Sequence, residues 1–552
     1  MGELLLHNAK VYTSDPQNPR CEAIAVKDGV ITAIGGEELR LNAGPDAEVM
    51  DAKGRLVLPG FIDSHCHPSL TVYRAALDLS SCGTIVEYQS AIRRYAREHP
   101  ELPVIKGAGW FYTDFGGEAP HRSLIDAAVH DRPVMIYSGD FHSLWVNSKA
   151  LEAAGLDDSV ENPEGGVIAR DENGRLTGYF NETPAVKVIE NRLSAFGPED
   201  YKEGIKKFFR DANSVGITAV HDAGVLFEEG WGGYGLMRED EYSLGVFLSN
   251  VIEPRAADAL REAVALTVKR KAAFENAFVR LNTVKLFMDG VPEANTAVLE
   301  EDYLNEPGNA GKPQWNLDAF DEACRLADAA GWQLHVHCIG DRALRYTLDA
   351  FQKAEKANGK RDSRHIAAHL QLVNESDIPR MRELGVTAMP TAFWFEKSAM
   401  YYEVELNNLG KERADREYPM KSLFDAGVLT ACGSDSPVSI TTPVLDVDFA
   451  PLQAIQQGVL RANPLSDPHD MKNVSNPGER VNLERMIAAY TINGARANFA
   501  EDRMGSITPG KEANFIILDQ NIFEIPPALI YKTRVLATYF RGKPVWGGAG
   551  TL

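Results

Sequence analysis

Between residues 60 and 433, short apolar runs alternate with helical stretches, and this alternation constrains the fold more than any other feature of the chain. Eight strand candidates stand out: 60–65 (GFIDSH), 217–221 (ITAVH), 245–250 (GVFLSN), 281–287 (LNTVKLF), 333–337 (QLHVH), 365–369 (HIAAH), 385–389 (GVTAM) and 428–433 (GVLTAC). Stretches between them, such as PEDYKEGIKKFFRDANSVG and LDAFDEACRLADAAG, have helical periodicity and end in glycine, the residue that most easily takes the left-handed C-terminal cap. Eight such units predict an α/β fold built on a (β/α)8 TIM barrel, with chemistry at the C-terminal ends of the strands.

The two ends of the chain read differently. Residues 1–58 contain alternating segments broken by DG and KG turns, and residues from about 505 repeat the pattern with an RG turn. Alternation closed by such turns is a hairpin signature. The prediction is one small β-sandwich assembled from 1–58 and 491–552, around a barrel domain spanning 59–490. Further strand-like runs at 104–109 and 133–137, and a hairpin pattern in GGVIARDENGRLTGYF, fall between the first two barrel strands. A stretch of that length, about 70–200, predicts an inserted subdomain rather than a loop.

No run approaches the roughly 18–20 apolar residues of a membrane span, and the start MGELLLHNAK lacks the features of a secretion signal. A cytoplasmic location is expected. The formal net charge is -21 with no lysine–arginine cluster, which argues against nucleic acid and anionic membrane as partners. A small-molecule substrate is the partner expected, and a homodimer stays open. Six scattered cysteines without a CxxC pair read as reduced thiols.

Metal-competent side chains fall where the predicted strands end. His65 and His67 close the first strand at i, i+2, so on extended chain they share a face, while Cys66 points the other way. Lys285 lies within an apolar run on the fourth strand. Burial lowers a lysine pKa, and a neutral amine can add carbon dioxide to form a carbamate that bridges two metal ions. His337 ends the fifth strand and is preferred as a ligand over the deeper His335. His369 ends the sixth, whereas His365 opens that strand at the opposite end of the barrel. Asp435 follows the eighth strand in a GSDSP turn, where an aspartate is ordinarily a turn former. Singly, each has a bland reading; together they converge on one mouth.

At this point the sequence resembles the amidohydrolase superfamily, and more closely amidohydrolase family 3, which includes N-substituted formamide deformylases. The supporting motifs are LPGFIDSHCHP, DFHSLWVNSKALEAAG, VKLFMDG, HVHCIGDRA, HIAAHLQ, CGSDSP and GSITPGKEAN. The resemblance implies His65, His67, His337 and His369 as zinc ligands. It also implies a carboxylated Lys285 bridging two ions, with one ion kept open, and Asp435 as metal ligand and proton carrier. Asp435 and His337 are the catalytic candidates. In the closing motif Asn514 stands where an aspartate is usual.

The implied reaction is hydrolysis of a carbon–nitrogen bond of the amide or formamide type. Esterase, lactonase or isomerase chemistry on the same barrel, and a scaffold without catalysis, are the alternatives. His142 in the insertion matches a family motif and is a candidate for contacting a substrate carbonyl. Asp289 and Arg342 follow ligand-bearing strands and are candidates for orienting substrate or ligands. Two aromatic triplets, Trp110–Phe111–Tyr112 and Phe393–Trp394–Phe395, predict an apolar pocket with Trp110 and Trp394 against an apolar or aromatic substrate group.

Overall fold

A computed structural model describes residues 3–41, 44–116, 119–163, 165–193, 196–254, 257–438 and 447–548. The outermost residues of the two predicted sandwich halves, 1–2 and 549–552, lie outside this set. All eight predicted barrel strands form: β1 (Phe61–Cys66), β2 (Ile217–Val225), β3 (Gly245–Val251), β4 (Val279–Phe287), β5 (Gln333–Cys338), β6 (Ile366–His369), β7 (Thr387–Pro390) and β8 (Leu429–Thr430). They pair in parallel, each with its sequence neighbour, from β1 through β8. Strands buried on both faces can be apolar almost throughout, which is why they were legible as runs.

The barrel seam lies between β1 and the turn after β8. Ser64 N donates to Cys432 O at 3.1 Å, Asp435 N to His65 O at 2.7 Å and His67 N to Ser436 O at 2.7 Å. This close approach requires glycine at 433, because a Cβ there would lie 2.4 Å from His65 N. Asp63 reinforces the seam by accepting from Ser434 N at 2.9 Å and Ser434 Oγ at 2.6 Å.

The sandwich has a four-stranded sheet from the N-terminal segment and a six-stranded sheet shared by both ends. In the shared sheet Leu56–Pro59 pairs with Phe515–Leu518. The predicted DG and RG turns form with positive φ at both central residues, at Asp28–Gly29 and Arg541–Gly542, the conformation two-residue hairpins favour. The C-terminal half begins later than the predicted 491. Helix Ile492–Ala497 packs beneath the barrel, where Ala495 joins Ile62, Ala219 and Phe247 in one apolar cluster. The sandwich core takes up the chain only at Ile507.

The insertion is a subdomain with its own mixed six-stranded sheet, from Leu77–Asp78 to Leu176–Asn181. The extra strand-like runs belong to it, as Ile105–Trp110 and Val134–Ser138. The predicted hairpin pairs Val167–Arg170 with Leu176–Asn181. Among the described residues, no helix is long and apolar enough to cross a membrane.

Candidate metal centre

The period-two geometry of β1 sends His65 and His67 to the barrel mouth, and the β8 turn sets Asp435 between them. His65 Nε2 and His67 Nε2 each lie 3.2 Å from Asp435 Oδ1, and His369 Nδ1 lies 3.9 Å from Oδ2. Donor atoms of His65, His369 and Asp435 all fall within 4.8 Å of one another. Asp435 (φ 62°) and His369 (φ 71°) both sit in the left-handed backbone region. Non-glycine residues held there carry strain that concentrates at functional sites. Cys66 faces away and donates to His221 O from a fully buried thiol.

Several buried nitrogens here have no hydrogen-bond partner among the described residues: His65 Nε2, His67 Nδ1, His369 Nδ1 and Lys285 Nζ. Orphaned buried polar atoms are rare, and several in one place point to something else that binds them. Burial holds the pKa of His65, His337 and His369 well below the usual histidine value, so each ring keeps a free lone pair. Burial opposes ionisation of Asp435, but its hydrogen bond with His67 and the electrostatic pull of its neighbours, Lys285 among them, outweigh this and hold its pKa below normal. Neutral imidazoles around a carboxylate are a donor set for a divalent transition metal. Lys285 is completely buried, and burial brings its pKa down to about 8.

A supporting layer fixes these rings. His335 Nε2 and His65 Nδ1 are 2.9 Å apart. His337 Nδ1 bonds Asp289 Oδ1 at 3.0 Å. Asp289 also accepts from the backbone N–H groups of Val298, Ile339 and Gly340 at 2.8–3.1 Å. From the insertion, His142 Nδ1 bonds Glu182 Oε2 at 2.9 Å. Burial disfavours its imidazolium, but Glu182 prevails and pushes the pKa of His142 up to about 9. His142 therefore brings a positive charge to the mouth at neutral pH.

The family model described as "Amidohydrolase family" matches residues 48–546. The chain belongs to the amidohydrolase family. Membership makes it an enzyme that hydrolyses carbon–nitrogen bonds with the help of metal. It is 29% identical over 560 residues to Protein LONG AFTER FAR-RED 3 of Arabidopsis thaliana, covering 99% of this chain and 92% of that one. It is 26% identical over 558 residues to N-substituted formamide deformylase of Arthrobacter pascens, covering 98% of both. An uncharacterized metal-dependent hydrolase from Pyrococcus furiosus superposes with a TM-score of 0.69 at 26% identity, over 94% of this chain and 99% of that chain.

In this amidohydrolase a narrow cavity leads outward from the metal-competent cluster, with His142, His337, His369, Asp435 and Trp394 in its wall. The Trp394 ring is stacked on His369, 15° from parallel with centroids 5.5 Å apart. Lys285, His65 and His67 lie outside the lining of this cavity.

Three predicted substrate contacts fall elsewhere. Trp110 is fully buried in the core of the insertion, where its Nε1 donates to Ile136 O at 3.0 Å. Arg342 turns away to donate to Glu300 O at 2.6 Å. Asp289 holds His337 and does not line the cavity. Phe393 and Phe395, on either side of Trp394, are packed into the barrel core.

The expected apolar pocket is only half apolar. Besides Val291, Ile339 and Met400, the wall includes Asp140, Glu293, Glu396 and Glu405, none of which was singled out from the sequence. A signal was present, since Glu293 follows β4 and Glu396 follows β7, and residues just past barrel strands face the mouth.

Proposed function

We propose that this amidohydrolase binds zinc and cleaves N-substituted amides, formamides foremost. One observation carries the reading: buried, uncharged imidazoles with orphaned nitrogens gather around an ionised Asp435 at the closed end of a cavity. Similarity along nearly the whole chain to N-substituted formamide deformylase supports the choice of substrate class. His65, His67, His337, His369 and Asp435 would hold the metal, and Lys285, once carboxylated, would hold a second ion. In that carboxylation the neutral Nζ bonds the carbon of CO2 and releases a proton.

Bound zinc brings the pKa of a coordinated water to about 7 and polarises a carbonyl oxygen. The protein groups do the rest. Asp435 takes a proton from the attacking water at a carboxylate oxygen and delivers it to the leaving nitrogen. His142, charged through Glu182, donates a hydrogen bond to the carbonyl oxygen as negative charge develops on it. Asp289 keeps His337 in one tautomer and orientation.

The test is zinc content together with hydrolysis of matched N-alkylformamides, esters and lactones, and intact mass for CO2 retained on Lys285. Stoichiometric zinc with turnover of the formamides is the expected result. Turnover of the esters or lactones alone would overturn the substrate class, and an unmodified Lys285 in a one-zinc enzyme would remove the second ion.

A further inference from the structure

The cavity wall gathers carboxyl groups. Glu396 and Glu405 are 7% and 8% exposed, and Glu417, just behind, is 2% exposed. Their partners are neutral amides. Glu396 accepts from Asn463 at 3.1 Å and Gln457 at 2.6 Å. Glu405 and Glu417 accept from the same Gln371 Nε2, at 3.2 and 2.9 Å. Glu293 Oε2 is buried with no hydrogen-bond partner among the described residues.

Among the described residues, no lysine or arginine lines this cavity, and the charge of His142 in its wall is already paired with Glu182 at 2.9 Å. Arg461, whose charge acts on Glu417 behind the wall, and Lys397 have hydrogen-bond partners outside the cavity lining. Arg461 donates to the backbone carbonyls of Ser475, Tyr418 and Glu417 at 2.9–3.1 Å. Lys397 pairs with Asp415 at 3.1 Å.

Carboxyl groups buried together without a counter-cation are unfavourable unless they stay protonated or a cation joins them. Here burial pushes Glu405 up to about 8, and Glu293 and Glu396 up to about 7. The rings of Trp394 and Tyr418 share the same wall, and such faces attract cations in a desolvated site. A cationic group would favour the ionised carboxylates and displace their protons, which a neutral or anionic group would not.

We propose that the substrate is an amide that also carries an ammonium or guanidinium group, held among Glu293, Glu396 and Glu405 beside Trp394 and Tyr418 while the amide lies at the metal end. The inference rests on the hydrolase reading above and adds the charge of the substrate to it.

The test compares an N-formyl diaminoalkane with its neutral N-formylalkylamine isostere and with the corresponding ω-formamido acid, on the zinc-loaded enzyme. The cationic member should exceed the neutral one in kcat/KM by about 30-fold, the size of one desolvated ion contact. Glu405→Gln and Glu293→Gln should each bring that ratio down toward one. Both changes are isosteric and relieve like-charge crowding, and a cooperative melt shows that the variants are folded.

A second readout needs no turnover. By calorimetry on metal-free protein, the free diaminoalkane should bind at least about tenfold more tightly than the matching alcohol, and Glu405→Gln should weaken it. Equal kcat/KM values, a preference for the ω-formamido acid, or equal binding of amine and alcohol would each overturn the cation site. If no formamide of any charge is hydrolysed while the diaminoalkane still binds selectively, the cation site stands and the formamide reading falls.

Discussion

The two ends of the cavity bury ionisable groups to opposite effect. At the inner end, burial strips protons from His65, His337 and His369 and leaves them as lone-pair donors. At the outer end, burial loads protons onto Glu293, Glu396 and Glu405. Desolvation favours the neutral form in both cases, so both ends await a positive partner. Their supports differ. The inner groups stand at the ends of β1, β5 and β6 and in the seam turn. Glu293 and Glu396 lie on connections, and Glu405 closes the π-helical turn Tyr401–Glu405, a distortion often found at functional positions. On the proposed reading, the reacting groups sit on the rigid frame and the discriminating groups on segments that can vary without disturbing it.

Asp435→Asn separates the two ends most sharply. It should lower kcat by about 10²–10⁴-fold, as loss of a general acid–base does, while selectivity for a cationic amide persists in binding. If kcat stays within tenfold of the parent, the inner end is not where the proton moves. Asp289→Asn comes next. With His337 no longer held by a carboxylate, zinc affinity measured by chelator competition should fall about 10–100-fold. An unchanged affinity would remove His337 from the ligand set.

Glu182→Gln tests the charge that His142 brings to the space between the two ends. The folded value of His142, about 9, lies above its ordinary 6.5, so the pair's stabilisation is full below 6.5 and is lost as pH rises through 9. Glu182 is held below 4.5, because its bonds to His142 and Thr296 outweigh its burial, so the pair survives mild acid. The melting temperature of Glu182→Gln should therefore trail the parent by a few degrees at pH 5–6.5 and converge with it above about 9. A constant gap across that range would show that His142 does not titrate there. Arg342→Gln should matter least: KM within about twofold of the parent and a stability loss of about 0.5–1.5 kcal/mol, the size of one hydrogen bond. A large rise in KM would return Arg342 to the substrate.

How much of this was legible depends on whether a residue's position follows from a local period. The HxH pair, Lys285 and the histidines closing β5 and β6 follow from strand alternation, and the DG and RG turns from their glycines. Trp110 and Trp394 show the limit. Each is in an aromatic triplet, but Trp110 ends a strand of the insertion with packing on every side, and Trp394 occupies a helical turn after β7. Nothing in either triplet distinguishes the two. The glutamates were harder still, because Glu293, Glu396, Glu405 and Glu417 come from separate segments and each alone reads as a solvated surface residue. Their shared burial is a property of tertiary structure.

The seam has a consequence for how the enzyme is made. His65 and His67 leave the ribosome early, and Asp435 emerges only after all eight barrel strands have been synthesised. The bonds joining His65 and His67 to Asp435 and Ser436 form only when the last strand meets the first. A nascent or truncated chain ending before the β8 turn therefore has no complete ligand set. If these residues hold the metal as proposed, tight capture would report that the circle has closed, and the ion would act as an inspector of finished molecules as well as a reagent.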